Sequence, residues 1–193
     1  MADGEPAVGL RARKMARTRA EIAEAALALF VEQGYDHTTL EQVAERADVH
    51  KRTLLRYFPT KAHLVLHHQY AALDEFRDLM ARRGDASALD VWTAHVVRHA
   101  REMMKRGRLA DTRRIGRSEP TLAPTYLSIQ AEYEALIAAG LEADLCGHAN
   151  AETLSRVAAA ALVGGNYAIG ALVFQREAYD ELERATLEVI RLV

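Results

Sequence analysis

The sequence is poor in cysteine, proline and aromatic residues, with one cysteine, four prolines and 6% aromatic residues in 193. The single cysteine, Cys146, excludes an internal disulfide framework and fits the reducing cytoplasm. No stretch alternates apolar and polar residues strongly enough to predict a sheet, and the abundant Ala, Leu, Arg and Glu favour helix. We therefore predict an all-α, cytoplasmic protein.

Segments for secretion or membrane insertion are also missing. Residues 1–10 contain no cationic stretch that leads into an apolar run, so we predict a disordered tail over residues 1–12 rather than a signal peptide. The most apolar stretch, residues 158–174, is short for a membrane span and contains Gly164, Gly165 and Asn166. We interpret it as a buried helix with no membrane contact.

Enzyme motifs are absent too. The sequence has no phosphate-binding loop, no G-x-S-x-G and no E-x-x-H pair, which argues against a helical enzyme and predicts no cofactor. Two histidine pairs have i, i+4 spacing, His63/His67 and His95/His99, but no cysteine or carboxylate set completes a metal site. We predict no metal site and keep a metal-responsive protein as an alternative.

What the sequence does contain is a pair of short helices over residues 39–61. Thr39 and Gln42 have the spacing of a capping box, so a helix is expected from Leu40. A turn at residues 48–50 separates it from a second helix, residues 51–58, which ends before Pro59 because a residue that precedes proline avoids the α region. The spacing predicts a helix-turn-helix.

The second helix divides into an apolar and a cationic face. Leu54 and Phe58 are four residues apart and are expected to point inward, while Lys51, Arg52 and Arg56 remain outside. This division is typical of a DNA-reading helix, although an ordinary helical hairpin with solvated charges would show it too. The net charge of −2 is unevenly distributed, and the basic residues concentrate near the motif.

The flanking segments carry a more specific signal. An amphipathic helix over residues 18–34 ends at Gly34, and it is followed by Tyr35, by Thr38-Thr39 and, after the two helices, by YFPTK at residues 57–61. Over residues 15–66 this ordered set resembles the N-terminal domain of the tetracycline-repressor (TetR) family of bacterial transcription regulators. The resemblance implies a three-helix helix-turn-helix DNA-binding domain at residues 13–62, followed by a helical ligand-binding and dimerisation domain at residues 63–193.

The resemblance also implies a function. We expect a regulator, most commonly a repressor in this family, that binds a pseudo-palindromic operator in double-stranded DNA as a homodimer. A small-molecule effector bound in the C-terminal domain would release the DNA. An adaptor that has lost DNA binding is the competing hypothesis.

Roles for the DNA-binding residues follow from the geometry of the motif and from family positions. Residues at the N-terminal end of a recognition helix meet base edges, so Lys51 and Arg52 are the first candidates for direct readout, with Arg56 one turn later. Thr39, at a helix N-terminus, is expected to bind a phosphate. The positions that match backbone-binding positions of the family are Thr53, Tyr57 and Lys61. Asp48 stands where glycine is common, which predicts a left-handed backbone there.

The C-terminal region is predicted to form one long helix over residues 61–82 and further helices over residues 87–105, 124–145, 151–175 and 178–193. The last two are expected to form the dimer interface. Candidate effector-binding residues combine apolar walls with a few polar groups: Trp92, His95, His99, Met103, Tyr126, Gln130, Tyr133, Asn166, Tyr167 and Phe174. Aromatic residues at helical spacing are more often plain core, so that interpretation stays open for each of them.

Overall fold

The computed structural model describes residues 7–105, 115, 119–176 and 181–192. Its helices are α1 Ala7–Gln33, α2 Leu40–Arg46, α3 Lys51–Tyr57, α4 Lys61–Val65, α5 His67–Ala81, α6 Ala88–Lys105, α7 Ala123–Asp144, α8 Ala151–Arg176 and α9 Leu182–Leu192, with a 3-10 turn at Pro120–Leu122. No strand occurs in this described part of the chain. The protein is all-α, as the sequence predicts.

The described residues pack into two compact units. The first contains residues 7–67, 115 and 119–122, and the second contains residues 68–105, 123–176 and 181–192. The core of the first unit is built by Ile22 and Phe30 of α1, Val43 of α2, Leu54 of α3 and Leu64 of α4, each at most 3% exposed. Burial of these side chains provides the main stabilisation of helices that are too short to be stable alone.

The local signals around α2 and α3 are confirmed. Thr39 caps α2 in a capping box with Gln42, and Gly34 ends α1 with φ +88°. Asp48 lies in the turn between α2 and α3 with φ +51°, the left-handed backbone that its position predicts. Each signal involves residues within four positions of one another, which is why the sequence alone suffices to read it.

Helix α1 begins at Ala7 rather than at residue 18. Residues 7–12, which the sequence analysis assigned to a disordered tail, are therefore helical, whereas residues 1–6 lie outside the described residues. The segment that extends the helix contains Leu10, Arg11, Ala12 and Arg13, all good helix formers, and Arg13 donates a hydrogen bond to the Gly9 carbonyl oxygen at 3.4 Å. The high helix propensity of these residues thus extends α1 toward the N-terminus, beyond its amphipathic part.

The helix predicted over residues 61–82 is interrupted at Leu66, which has φ −96° and ψ 15°. Leu64, Val65 and Leu66 are all at most 2% exposed. Three consecutive residues of a straight helix point in directions about 100° apart and cannot all face one core. The break resolves this conflict, and the His67 imidazole Nδ1 lies 2.8 Å from the Leu64 carbonyl oxygen that the break frees.

In the second unit, α6, α7, α8 and α9 form a helical bundle. Ala100, Ile169, Val173 and Leu182 make a common core of α6, α8 and α9. Gly165 permits the close approach of α8 and α9, since a Cβ atom there would lie 2.6 Å from Cγ1 of Val189. Gly165 therefore serves packing within the chain, whereas Gly164 has no neighbour within 4 Å of an added Cβ.

Helix α8 differs from the predicted buried helix. Residues 151–173 have the length and the mean hydropathy, 1.4, of a membrane-crossing helix, yet only 28% of the apolar window is buried within the chain. Its exposed positions include Leu154, Val157, Gly164 and Leu172. The sequence pattern predicted a helix that is buried. It did not show that one face of this long apolar helix is exposed.

Candidate functional site

Helix α3 presents cations on one side because its other side is buried. Leu54 and Phe58 are at most 1% exposed, whereas Lys51, Arg52 and Arg56 are exposed. The backbone N–H of Phe58 donates to the Leu54 carbonyl oxygen at 2.8 Å and closes the helix before Pro59. The orientation of the three cations is thus fixed by the core beneath them.

The three cations differ in their partners. The Lys51 ammonium forms an ion pair with the carboxylate of Glu41 on α2. The Arg56 guanidinium lies 5.3 Å from the ring centroid of Tyr57. Arg52 is exposed and has no hydrogen bond or ion pair with any described residue, so its guanidinium is available to an acceptor outside the chain.

The remaining α3 candidates are less exposed. Thr53 and Tyr57 are half-buried, and the Thr53 N–H donates to the His50 carbonyl oxygen at 2.7 Å. His50 precedes the helix without a side-chain cap, so N–H groups of the first turn stay available at this end. Such groups are able to donate to an anion.

The hydroxyl groups of Thr38 and Thr39 make different hydrogen bonds. Thr38 is 1% exposed, and its hydroxyl donates to the Gly34 carbonyl oxygen at 2.8 Å. Thr39 is exposed, and its hydroxyl oxygen accepts the Gln42 N–H at 3.2 Å. Because a hydroxyl is both donor and acceptor, the Thr39 O–H remains free to donate to a phosphate oxygen.

A side-chain network that the sequence analysis missed supports this junction. The Gln33 amide donates to the Thr38 hydroxyl at 3.3 Å and to the Gln42 side-chain oxygen at 3.0 Å. The same Gln42 oxygen accepts the Thr39 N–H at 2.8 Å. Gln33 is nine residues from Gln42, and no spacing rule connects residues across an irregular loop.

Lys61, which was expected at a DNA-backbone position, donates to carbonyl oxygens of its own chain. Its ammonium donates to the carbonyl oxygens of Tyr35 at 2.7 Å, Thr38 at 3.2 Å and Asp36 at 3.5 Å, and it lies 4.2 Å from the Tyr35 ring centroid. An ammonium has three N–H donors, and all three are used here. In this arrangement Lys61 fixes the loop that leads to Thr39.

Part of the basic character near the motif is neutralised in the same way. The Arg46 guanidinium forms a two-point ion pair with Glu32, with one nitrogen–oxygen distance of 2.7 Å. The hydrogen bond from Arg46 lowers the pKa of the Glu32 carboxyl, which therefore remains an anion at neutral pH. The number of cations free to meet DNA is smaller than the sequence indicates.

The structure brings four of the predicted effector-binding residues into one aromatic cluster. Trp92, His95 and Tyr133 surround Phe76, with ring centroids 5.5, 5.0 and 5.4 Å from the Phe76 centroid. His99 stacks on His95 at 6.2 Å. Phe76 lies at the centre of this cluster and was not among the predicted residues, although it occupies the buried stripe of α5 with Ala72 and Leu73.

The cluster contains polar groups without charge. His95 Nε2 lies 3.2 Å from the Tyr133 hydroxyl, and burial, together with the nearby Arg98, lowers the pKa of His95 to about 4. Burial raises the pKa of Tyr133, and the hydroxyl of Tyr167 adds to the effect. Trp92 is 2% exposed, and its indole N–H has no hydrogen-bond partner among the described atoms.

The other predicted effector-binding residues lie on neighbouring helices. Burial raises the pKa of Tyr167, with a contribution from Tyr126 on α7. Gln130 on α7 and Asn166 on α8 are half-buried. The side chains of Met103 and Phe174 lie outside the described part of the chain.

The two histidine pairs do not form metal sites in the described structure. His63 Nδ1 lies 2.8 Å from the Thr60 hydroxyl, and His67 is bound to the Leu64 carbonyl oxygen. Among the described residues no group of three His, Cys, Asp or Glu side chains is placed to hold a metal ion. The metal-responsive alternative therefore gains no support from this geometry.

Comparisons with the sequences of known proteins find similarity in the first unit. Residues 22–67 match the sequence model of the bacterial regulatory proteins, tetR family. The HTH-type transcriptional regulator TcmR of Streptomyces glaucescens is 49% identical over 67 residues, which cover 35% of this chain and 29% of that protein. The alignment thus spans under a third of that relative.

Solved structures extend the likeness to the whole fold. The fatty acid degradation regulator FadR of Bacillus halodurans superposes with a TM-score of 0.63 at 19% identity, over 90% of this chain and 96% of that one. The complex of SmeT with triclosan gives 0.61 at 21% identity, over 91% and 89%. Residues 22–67 thus match the tetR family model, and the chain shares its fold with these solved structures, in agreement with the resemblance seen in its sequence.

Replacement of Lys61 by methionine tests its role in the loop. Lys61→Met keeps the aliphatic stem but removes three hydrogen bonds to carbonyl oxygens, so we expect the free energy of unfolding to fall by about 1–3 kcal/mol. Urea denaturation followed by circular dichroism measures the change. Arg52→Met, at an exposed position, is the control and is expected to stay within about 0.5 kcal/mol. Equal stability of both variants would contradict the assignment.

The buried, neutral His95 predicts a pH dependence of stability. Its folded pKa of about 4 lies below the unfolded value of about 6.5, so the unfolded chain binds more protons between these pH values. Its contribution is complete above about pH 6.5 and decreases by up to about 3 kcal/mol as the pH falls toward 4.

Urea unfolding of wild type and His95→Gln at several pH values isolates this contribution. Burial also lowers the pKa of His67, so wild-type stability alone does not report His95. The difference between the two proteins is expected to shrink with decreasing pH. A difference independent of pH would show that His95 titrates normally in the folded protein.

Proposed function

We propose that this protein is a cytoplasmic, DNA-binding transcriptional repressor that binds a pseudo-palindromic operator as a homodimer and is released by a small molecule. The observation that carries the proposal is the exposed cationic side of α3, with Lys51, Arg52 and Arg56 held outward by the buried Leu54 and Phe58. The match of residues 22–67 to a family of DNA-binding regulators supports it. The matched proteins are regulators, not enzymes.

Arg52 is the residue best suited to read a base. Its guanidinium is exposed and unpaired among the described residues, and a guanidinium donates two parallel hydrogen bonds to O6 and N7 of guanine. Lys51 and Arg56 flank it at the first turn and one turn later. The Thr39 hydroxyl and, at the edge of the surface, Thr53 and Tyr57 are assigned to phosphates, which fix orientation without reading sequence.

The open face of α8 supports the homodimer. Its exposed residues recur at three- and four-residue spacing and form one apolar stripe: Leu154, Val157, Ala161, Gly164, Ala168 and Leu172. A two-fold dimer would cover this stripe and present two α3 helices to half-sites roughly 34–36 Å apart, one turn of DNA.

The aromatic cluster of the second unit supports an effector site. Its walls are apolar rings, and the Trp92 indole N–H and the Tyr133 hydroxyl provide a few polar groups, the combination found in small-molecule sites. SmeT, which shares the fold, has been solved with triclosan bound. An effector that binds the DNA-free conformation more tightly must weaken DNA binding by the same factor.

Arg52→Ala tests the reading surface. On a duplex that the wild-type protein selects from a randomised library, we expect a loss of about 1–3 kcal/mol in binding and a relaxed preference at one base pair. Fluorescence anisotropy titration measures both. Arg82→Ala, which removes an exposed cation directly after α5, is the charge-matched control and should bind as wild type. If Arg52→Ala weakened selected and scrambled duplexes equally, base reading by Arg52 would be disproved.

Val157→Glu and Leu172→Glu test the dimer. Each places a carboxylate in the apolar stripe of α8, where burial against a partner would leave the charge unpaired, so both variants are expected to be monomers. Light scattering coupled to size-exclusion chromatography gives the mass. Leu89→Glu changes a partly exposed leucine of α6 and should remain dimeric. A monomeric wild type would contradict the proposal.

A further inference from the structure

An acidic residue lies within the cationic surface of the first unit. Glu41 is the second residue of α2, and its carboxylate Oε1 is paired with the ammonium of Lys51, the first residue of α3. The two side chains are 62% and 50% exposed, so the pair stands in solvent rather than in the core. An exposed pair contributes little to stability, because solvent screens the charges and ordering two long side chains costs entropy, so folding alone gives little reason for its position.

On DNA the carboxylate would be unfavourable unless it had a partner there. The Lys51 end of α3 is the end at which a recognition helix meets base edges. A carboxylate at that place is close to phosphates, which repel it. Its presence therefore lowers the affinity for every sequence that offers it no hydrogen-bond donor.

A G·C pair presents two acceptors on one base and a donor on the other, whereas an A·T pair places its donor between two acceptors. In the major groove a G·C pair presents N7 and O6 of guanine as acceptors and the N4 amino group of cytosine as a donor. A lysine ammonium donates to guanine, and a glutamate accepts from cytosine N4. The Lys51–Glu41 pair carries the complementary donor and acceptor side by side.

We propose that Glu41 and Lys51 together read both bases of one G·C pair in each half-site, with Glu41 accepting from cytosine N4. This inference rests on the proposed function, because it requires that α3 enters the major groove. After the pairing with Glu41, the Lys51 ammonium retains two donors for guanine, and the second carboxylate oxygen of Glu41 is available for cytosine.

The ionisation state of Glu41 suits this role. The hydrogen bond from Lys51 lowers the pKa of the Glu41 carboxyl, so it is an acceptor without a proton at neutral pH. A protonated carboxyl would present a donor and would lose the distinction between cytosine N4 and the oxygen O4 of thymine. Lys51 thus reinforces an ionisation that an exposed glutamate has at neutral pH in any case.

The test compares Glu41→Ala with Glu45→Ala. Glu45 is an exposed glutamate one turn further along α2, so both variants remove one negative charge from the same helix. Each duplex that the wild-type protein selects is then changed one base pair at a time, and the affinity is measured for every change.

We expect Glu41→Ala to reduce the discrimination of G·C from the other base pairs about tenfold at one position per half-site. Affinity for scrambled DNA should rise, because a repelling carboxylate is gone. Glu45→Ala should retain the full wild-type discrimination. Glu41→Gln keeps an acceptor oxygen without the charge and should retain part of the preference, which separates hydrogen bonding from charge.

The outcomes distinguish this inference from the proposed function. If wild-type protein selects a sequence but Glu41→Ala keeps every base preference, the paired readout is wrong and the repressor assignment stands. If the wild-type protein selects no sequence at all, the proposed function fails first. Circular dichroism at equal concentration shows whether the variants are folded. If Glu41→Ala is not folded, Glu41→Gln is used for the test instead.

Discussion

The burial of Leu54 and Phe58 determines which side of α3 faces the solvent. Helix α3 has only seven residues, and a helix of that length is not stable by itself in water. It exists because these two side chains, at most 1% exposed, are buried in the core of the first unit. The core therefore fixes the direction in which these cations point. Any loss of packing beneath α3 would also disorder the surface that is proposed to read DNA.

The cations of the first unit do not act as one basic patch. Arg46 is neutralised by Glu32, Lys61 is used by loop carbonyl oxygens, and Lys51 is shared with Glu41. Arg52 alone among these four has every donor free, as far as the described residues show. In the sequence all four lie in a basic region. In the structure three of them have partners within the chain, and Arg52 has none among the described residues.

Signals between near neighbours in the sequence predicted the fold well. The capping box of Thr39, the glycine that ends α1 and the left-handed Asp48 were each readable from a few residues. The interruption at Leu66 was not, because helical periodicity does not show that three consecutive apolar residues are all buried. Contacts between distant residues, such as Lys61 with Tyr35 or Phe76 with Trp92, require the fold itself.

The proposed regulation depends on a moderate affinity for DNA. Coupling between an effector and DNA binding is typically about 1–3 kcal/mol, which changes an affinity about 5–150-fold. A dimer would make each base contact twice, so contacts of about 1–3 kcal/mol add up quickly. Four unpaired cations would add an attraction to DNA of every sequence. Internal partners for Arg46, Lys61 and Lys51 reduce the sequence-independent attraction, and they leave more of the binding energy to contacts that distinguish the operator.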